Sequence, residues 1–282
     1  MRGSAPVLLR WLLIVTATWA GVCALLFAAR NRLLFPATSG GTGEPAHAGM
    51  PDGRRVTVAT SDGERLAAWY LPPRDPSGRS GAVLWLHGNA ETVEGLGPVL
   101  RAFRPPAAAM LAVEYRGYGG SSGHPTAAGV LSDAEAAFAW LAARPEVHAA
   151  RIVVYGRSIG AAPAAHVASI RPVAGLILES AFTSLRAMVR RQFPWAPSVL
   201  APGAFDNLTA VGRVTAPILL IQGERDEVVP PAMGRALAAR AGARAETWFI
   251  AGAGHNETYD VGGEEYVRRF QAFVARYAEG NR

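Results

Sequence analysis

The stretch Val153-Val154-Tyr155-Gly156-Arg157-Ser158-Ile159-Gly160-Ala161-Ala162 constrains this chain more than any other. A β-branched and aromatic run ends in Gly-x-Ser-x-Gly and gives way to small, helix-compatible residues, the pattern of a strand that turns sharply into a helix. Such a turn forces the serine backbone into a strained conformation, and glycines at 156 and 160 supply the room its neighbours need. Ser158 Oγ then stands exposed above a sheet. The N–H groups that begin the new helix favour negative charge at the same spot. A chain this rich in glycine and serine produces the five-residue motif by chance, so the strand before it and the helix after it carry the reading.

The rest of the chain supplies the sheet that such a turn needs. Strand-like runs at 55–60 and 65–71 are joined by the hairpin signal Ser61-Asp62-Gly63-Glu64. Further apolar runs fall at 82–86, 108–114, 152–155, 174–178, 217–222 and 245–250, continuous as in a parallel sheet buried on both faces. Helical segments lie between them. Ser132-Asp133-Ala134-Glu135 carries a capping signal and predicts a helix start. Residues 159–170 follow the turn, and 231–241 begin with proline and stop at Gly242. Residues 264–277 put Tyr266, Phe270, Phe273 and Tyr277 on one side, a core-packing stripe. Repeated β–α alternation predicts the α/β class, with an open, mostly parallel, doubly wound sheet.

One connection breaks the rhythm. Residues 180–215 join two strands and hold Phe193, Pro194, Trp195, Pro197, Pro202 and Phe205. So long an insertion in a compact domain is expected to be a small cap over the site. Its rings Phe193, Trp195 and Phe205 are the candidates for binding a substrate's apolar part, the bland alternative being that they only pin the cap to the body.

The amino-terminal end is of another kind. Residues 11–29 carry no charge and, as a helix, reach about 28 Å, close to the thickness of a hydrocarbon core. The run exceeds a signal-peptide core of about 7–15 residues, and Ala28-Ala29-Arg30 is a poor cleavage site. Cys23, preceded by Val22, does not suit a lipoprotein cleavage point. The expected organisation is a tail and single-pass anchor over 1–32, a small-residue linker over 33–54 and an α/β domain over 55–282, with the bacterial inner membrane as the expected location. Arg2 and Arg10 face Arg30 and Arg32 across the apolar run, so charge leaves the orientation undetermined.

Composition excludes several classes. All 28 basic residues are arginine and the net charge is +6, but the arginines are scattered rather than gathered into a nucleic-acid-binding patch. Cys23 is the one cysteine, so neither a disulfide framework nor a cysteine zinc site can form within one chain.

A serine hydroxyl is a poor nucleophile at neutral pH and needs a base, itself held by a third group. Of the six histidines, His47, His148 and His166 read as surface or packing residues, and His87 as a structural hydrogen-bonder. His255 lies in the flexible turn Ala251-Gly252-Ala253-Gly254-His255-Asn256 after the last strand, at the sheet edge that also carries Ser158. The third group is a carboxylate at another strand end: Asp226 after 217–222 is the candidate, with Glu179 as the rival acid. An oxyanion formed at Ser158 needs two N–H donors. Ile159, the residue after the serine, is one, and Asn89 in His87-Gly88-Asn89-Ala90 is the other.

These motifs, together with Arg116-Gly117-Tyr118-Gly119-Gly120-Ser121-Ser122-Gly123, Gly223-Glu224-Arg225-Asp226 and Gly254-His255-Asn256, resemble the α/β-hydrolase superfamily from about residue 33 to residue 273. The chain looks most like its membrane-anchored branch, the α/β-hydrolase domain-containing proteins 13 and 17 and the Bem46-like proteins. The resemblance implies an α/β-hydrolase fold with a small cap. It also implies a serine hydrolase acting on esters, thioesters or amides of acyl groups, some relatives removing palmitate from proteins. Ser158, Asp226 and His255 follow the family's chain order. A membrane-tethered ester or thioester hydrolase with a small-molecule or acylated lipid substrate, needing no metal or organic cofactor, is the expectation. The alternatives are a serine aminopeptidase-like amide hydrolase and a non-catalytic membrane-linked binding protein of the same fold.

Overall fold

A computed structural model describes residues 4–36, 40–74 and 78–279. Arg2 and residues 37–39 of the expected linker lie outside them. Eight strands form one sheet: β1 (Arg54–Ala59), β2 (Arg65–Leu71), β3 (Ser80–Leu86), β4 (Ala109–Val113), β5 (Val147–Arg157), β6 (Gly175–Glu179), β7 (Ile218–Gly223) and β8 (Ala245–Ile250). Their order is β1-β2-β4-β3-β5-β6-β7-β8. β1 and β2 pair antiparallel, β2 pairs antiparallel with β4, and every pairing from β4 to β8 is parallel.

Alternation along the central strands fills both faces, the condition that makes parallel strands read as unbroken apolar runs. Leu84 and Val154 face one cluster, packed by α3 (Ala127–Ala142) and α4 (Ala161–Ile170) through Val130, Phe138, Ala164 and Val167. Trp85, Val153 and Tyr155 face the other, closed by α2 (Gly97–Phe103) and α8 (Thr258–Val274) through Phe103, Tyr266, Phe270 and Phe273. Phe103 meets Tyr266 and Phe270 edge-on, each with centroids 5.0 Å apart.

One local reading needs correcting. α3 begins at Ala127, capped by Thr126, whose hydroxyl accepts from Gly129 N. Ser132 and Asp133 sit inside that helix. Asp133 is fully buried and takes Arg116 Nε at 2.9 Å and the Arg116 main-chain N–H at 2.8 Å, so its carboxylate serves a tertiary pair instead of a cap. Arg116 also holds Asp62 in the β1–β2 turn at 2.7 Å, which with Thr60 lowers the Asp62 carboxyl to about 2. The last helix is found from Glu264 as expected, and a short helical stretch from Thr258 precedes it across a break at Gly263 (φ 53°).

The amino-terminal helix α1 runs Ser4–Leu34, and its Val7–Leu34 portion is long and apolar enough to cross a membrane. It continues past residue 32 because nothing breaks a helix before Pro36. Its foot is docked: Phe35 is buried and meets Phe205 edge-on at 6.2 Å, and Asn89 Nδ2 donates to Leu34 O at 2.9 Å. The stretch read as a loose linker is also partly packed, with Thr42, Pro45 and Met50 buried.

Within 180–215 the neck is tied together. Leu185 N donates to Phe205 O and Leu208 N to Thr183 O, both at 2.9 Å. α5 (Leu185–Gln192) begins here, capped by Ser184, and α6 (Asn207–Arg213) returns to pack on α4. The projecting cap is therefore α5 and the proline-rich return to residue 205. α6 belongs to the body, and α7 (Pro231–Ala241) follows β7.

Candidate active site

β5 delivers Ser158 at the carboxyl edge of the sheet. Its φ is +52°, a left-handed value that a non-glycine residue adopts only at a cost. The sharpness of the turn explains both flanking glycines. A Cβ at Gly156 would lie 2.3 Å from Gly160 O, and one at Gly160 would lie 2.4 Å from both Leu86 O and His87 O. Those neighbours are backbone and cannot swing aside. Gly160→Ala is expected to cost about 3 kcal/mol, measured as a loss in urea-unfolding free energy, since the α4 start can no longer sit against β3. A stability equal to that of the native protein would contradict the packing account.

Three side chains meet at this edge. Ser158 Oγ is 3.0 Å from His255 Nε2, and His255 Nδ1 is 2.8 Å from Asp226 Oδ2. Asp226 is 3% exposed. Its Oδ1 accepts the N–H groups of Val228 (3.0 Å) and Val229 (2.7 Å), and its Oδ2 also accepts Gln222 Nε2 at 2.8 Å. A carboxylate so placed can only accept, so the proton of a neutral His255 sits on Nδ1 and the lone pair of Nε2 faces the serine. The β7 and β8 ends hold the two residues because their loops are short and bonded to each other, Arg225 N donating to Ala253 O at 2.8 Å.

Glu179, the rival acid, is engaged elsewhere. It ends β6 but turns to the α8 face, where the Tyr155 and Tyr266 hydroxyls donate to it, with Thr258 Oγ1 at 2.5 Å and Arg157 Nε at 3.1 Å. Burial, reinforced by the Glu179 charge, raises both phenols well above their ordinary range, so they stay protonated donors. Arg157 extends the network. It pairs with Glu91, donates through Nη2 to His255 O at 3.0 Å, and so braces the histidine loop. Glu91 Oε2 in turn accepts Gly88 N at 2.6 Å. His87 is fully buried, with Nε2 3.3 Å from Glu114 Oε2. Burial alone would suppress its charge, but the Glu114 carboxylate outweighs that and raises its pKa. It points away from solvent, in a packing role.

Ser158, Asn89 and Ile159 line one cavity of about 300 Å³ with Leu33, Leu34, Leu185, Val189 and Phe193. Of the three cap rings expected to bind substrate, only Phe193 lines this cavity. Trp195 lies outside the lining, edge-on to Phe193 at 6.2 Å, and Phe205 is a core residue 1% exposed against Phe35. The wall residues Leu33 and Leu34 were invisible from local pattern, because their place depends on the docking of α1 across 55 residues of sequence to Asn89. The apolar triplet Leu33-Leu34-Phe35, reached after Arg30-Asn31-Arg32 with no helix breaker before Pro36, was the one available signal.

Comparison with known proteins agrees with this fold. A family profile described as "Serine aminopeptidase, S33" matches residues 78–204. An uncharacterised protein of Mycobacterium tuberculosis is 36% identical over 263 residues, 91% of this chain and 92% of its own. Alpha/beta hydrolase domain-containing protein 17B of Homo sapiens is 32% identical over 224 residues, 77% of this chain and 73% of its own. A solved esterase of Pyrococcus furiosus superposes with a TM-score of 0.72 at 24% identity, covering 86% of this chain and 97% of that one, which shows the shared fold. The chain belongs to the α/β-hydrolase superfamily, close to the proteins like domain-containing protein 17.

Proposed function

We propose that this protein is a membrane-anchored serine hydrolase that cleaves an acyl ester or thioester through a covalent acyl-enzyme. The Ser158–His255–Asp226 relay is the observation that carries the reading. Ser158 Oγ attacks the acyl carbonyl while His255 Nε2 takes its proton, and Asp226 stabilises the imidazolium. The main-chain N–H groups of Ile159 and Asn89 receive the oxyanion. His255 then protonates the departing alcohol or thiol, and afterwards deprotonates the water that releases the acid. α1 is the anchor, by its length and composition.

An amide-cleaving aminopeptidase is the second reading, favoured by the family description. Such an enzyme must hold a free ammonium group, and no carboxylate lines the Ser158 cavity among the described residues. The apolar lining favours an acyl chain.

A fluorophosphonate should label the native protein at Ser158, located by peptide mass spectrometry. An unlabelled, folded protein would reject the assignment. The cavity walls also predict a chain-length trend. kcat/KM for soluble esters should rise from acetyl toward medium chains, by up to about fourfold per methylene until the cavity is full. Phe193→Ala should blunt the rise and Trp195→Ala should not, because Phe193 lines the cavity and Trp195 does not. A flat profile in the native enzyme would remove the acyl-pocket reading.

A further inference from the structure

The walls of the Ser158 cavity are shared with a second groove that leads away from the catalytic domain. This groove, about 290 Å³, runs between α1 and the cap, with Leu26, Arg30, Pro197 and Leu200 among its walls. Leu33, Leu34, Leu185, Val189 and Phe193 line both spaces, so only their side chains separate the two. Among the described residues Arg30 is the one charged residue in the groove lining. Leu26 stands about 12 Å along the helix from Leu34.

Two contacts fix α1 in this position. Asn89, in the loop beside Ser158, holds the Leu34 carbonyl at 2.9 Å. Farther up, Trp19 Nε1 donates to the Trp195 carbonyl at 3.2 Å. Trp19 is about 22 Å along the helix from Leu34, within the uncharged run, so the cap tip rides beside the anchor far above the sheet. Phe193, Trp195 and Val199 of the cap are 43%, 50% and 69% exposed, next to a helix whose own leucines are exposed. Apolar surface of that extent belongs against lipid.

We propose that the last turns of α1 form one wall of an acyl-chain channel that opens into the bilayer. The occupant is the acyl chain of a membrane-resident ester or thioester, which reaches Ser158 sideways between α1 and α5 without passing through water. Leu26, Leu33 and Leu34 touch the chain, and Arg30 marks the level of the polar headgroups. This rests on the serine hydrolase reading and adds to it the source of the substrate and a substrate-binding role for the anchor.

Two tryptophan substitutions one residue apart test it in the full chain, reconstituted in phosphatidylcholine vesicles. Leu26→Trp plugs the groove, whereas Leu25→Trp adds the same ring to a position 72% exposed. p-Nitrophenyl acetate in solution and p-nitrophenyl palmitate dissolved in the same vesicles are the probes. Leu26→Trp should lower the ratio of palmitate to acetate turnover about fifteenfold, as the loss of two methylene contacts at about fourfold each implies, with the Ser158 fluorophosphonate label retained. Leu25→Trp should alter none of these. An unchanged palmitate-to-acetate ratio in Leu26→Trp overturns the channel, and so does an equal fall in both rates. A native protein that neither turns over acetate nor takes the label at Ser158 overturns the hydrolase reading, and the channel with it.

Discussion

Ser158→Ala is expected to lower kcat on a soluble acyl ester about a millionfold, to the background left by oxyanion donors and binding. The size follows from the role: without Oγ no acyl-enzyme forms, and water must attack a carbonyl from a cavity built for a side-chain nucleophile. The exchange removes one oxygen and keeps Cβ, so the left-handed turn (φ +52°) remains and the fold should be intact by circular dichroism. Adding His255→Ala to that variant should cost little more, because Ser158 and His255, 3.0 Å apart, act as one unit. Steady-state rates of the two single variants and the double variant are the measurement. A loss below about a hundredfold in Ser158→Ala would assign the chemistry to another group.

The parts legible in the sequence are those encoded within a few residues. The elbow needs Gly156 and Gly160 because a Cβ at either meets backbone, and this constraint is written in five consecutive letters. Strands buried on both faces announce themselves as apolar runs, which is why β6 and β7 lie within one residue of their predicted bounds. Asp226 and His255 are readable because each follows such a run directly. What the sequence hides is the choice between equally good local signals, settled by distant partners. Ser132-Asp133 looks like a better cap than Thr126, but Arg116 claims Asp133 from across the sheet edge. Phe193 and Phe205 look alike as cap aromatics, yet Phe205 is covered by Phe35 from the foot of α1. The projecting cap is shorter than the whole insertion because α6 finds its apolar partner in α4.

Glu179 and Asp226 illustrate the same limit and can be told apart by experiment. Both end strands at the active edge, and either could orient a histidine. Asp226→Asn is expected to lower kcat by about 10⁴, because an amide leaves the Nδ1 proton without an anionic acceptor and favours the wrong tautomer facing Ser158. The fold should survive, since an amide oxygen can still accept from Val228 and Val229. Glu179→Gln should behave in the opposite way. Its carboxylate balances Arg157 and collects the hydroxyls of Tyr155, Tyr266 and Thr258, so neutralising it leaves a buried cation short of a partner. A stability loss of about 3 kcal/mol in urea unfolding is expected. The kcat of the folded fraction should fall by no more than about tenfold, through the Arg157 brace on the His255 carbonyl. The two variants thus separate on two axes, turnover per folded molecule and unfolding free energy. A Glu179→Gln protein that keeps its stability and loses 10⁴ in kcat, beside an active Asp226→Asn protein, would exchange the two assignments.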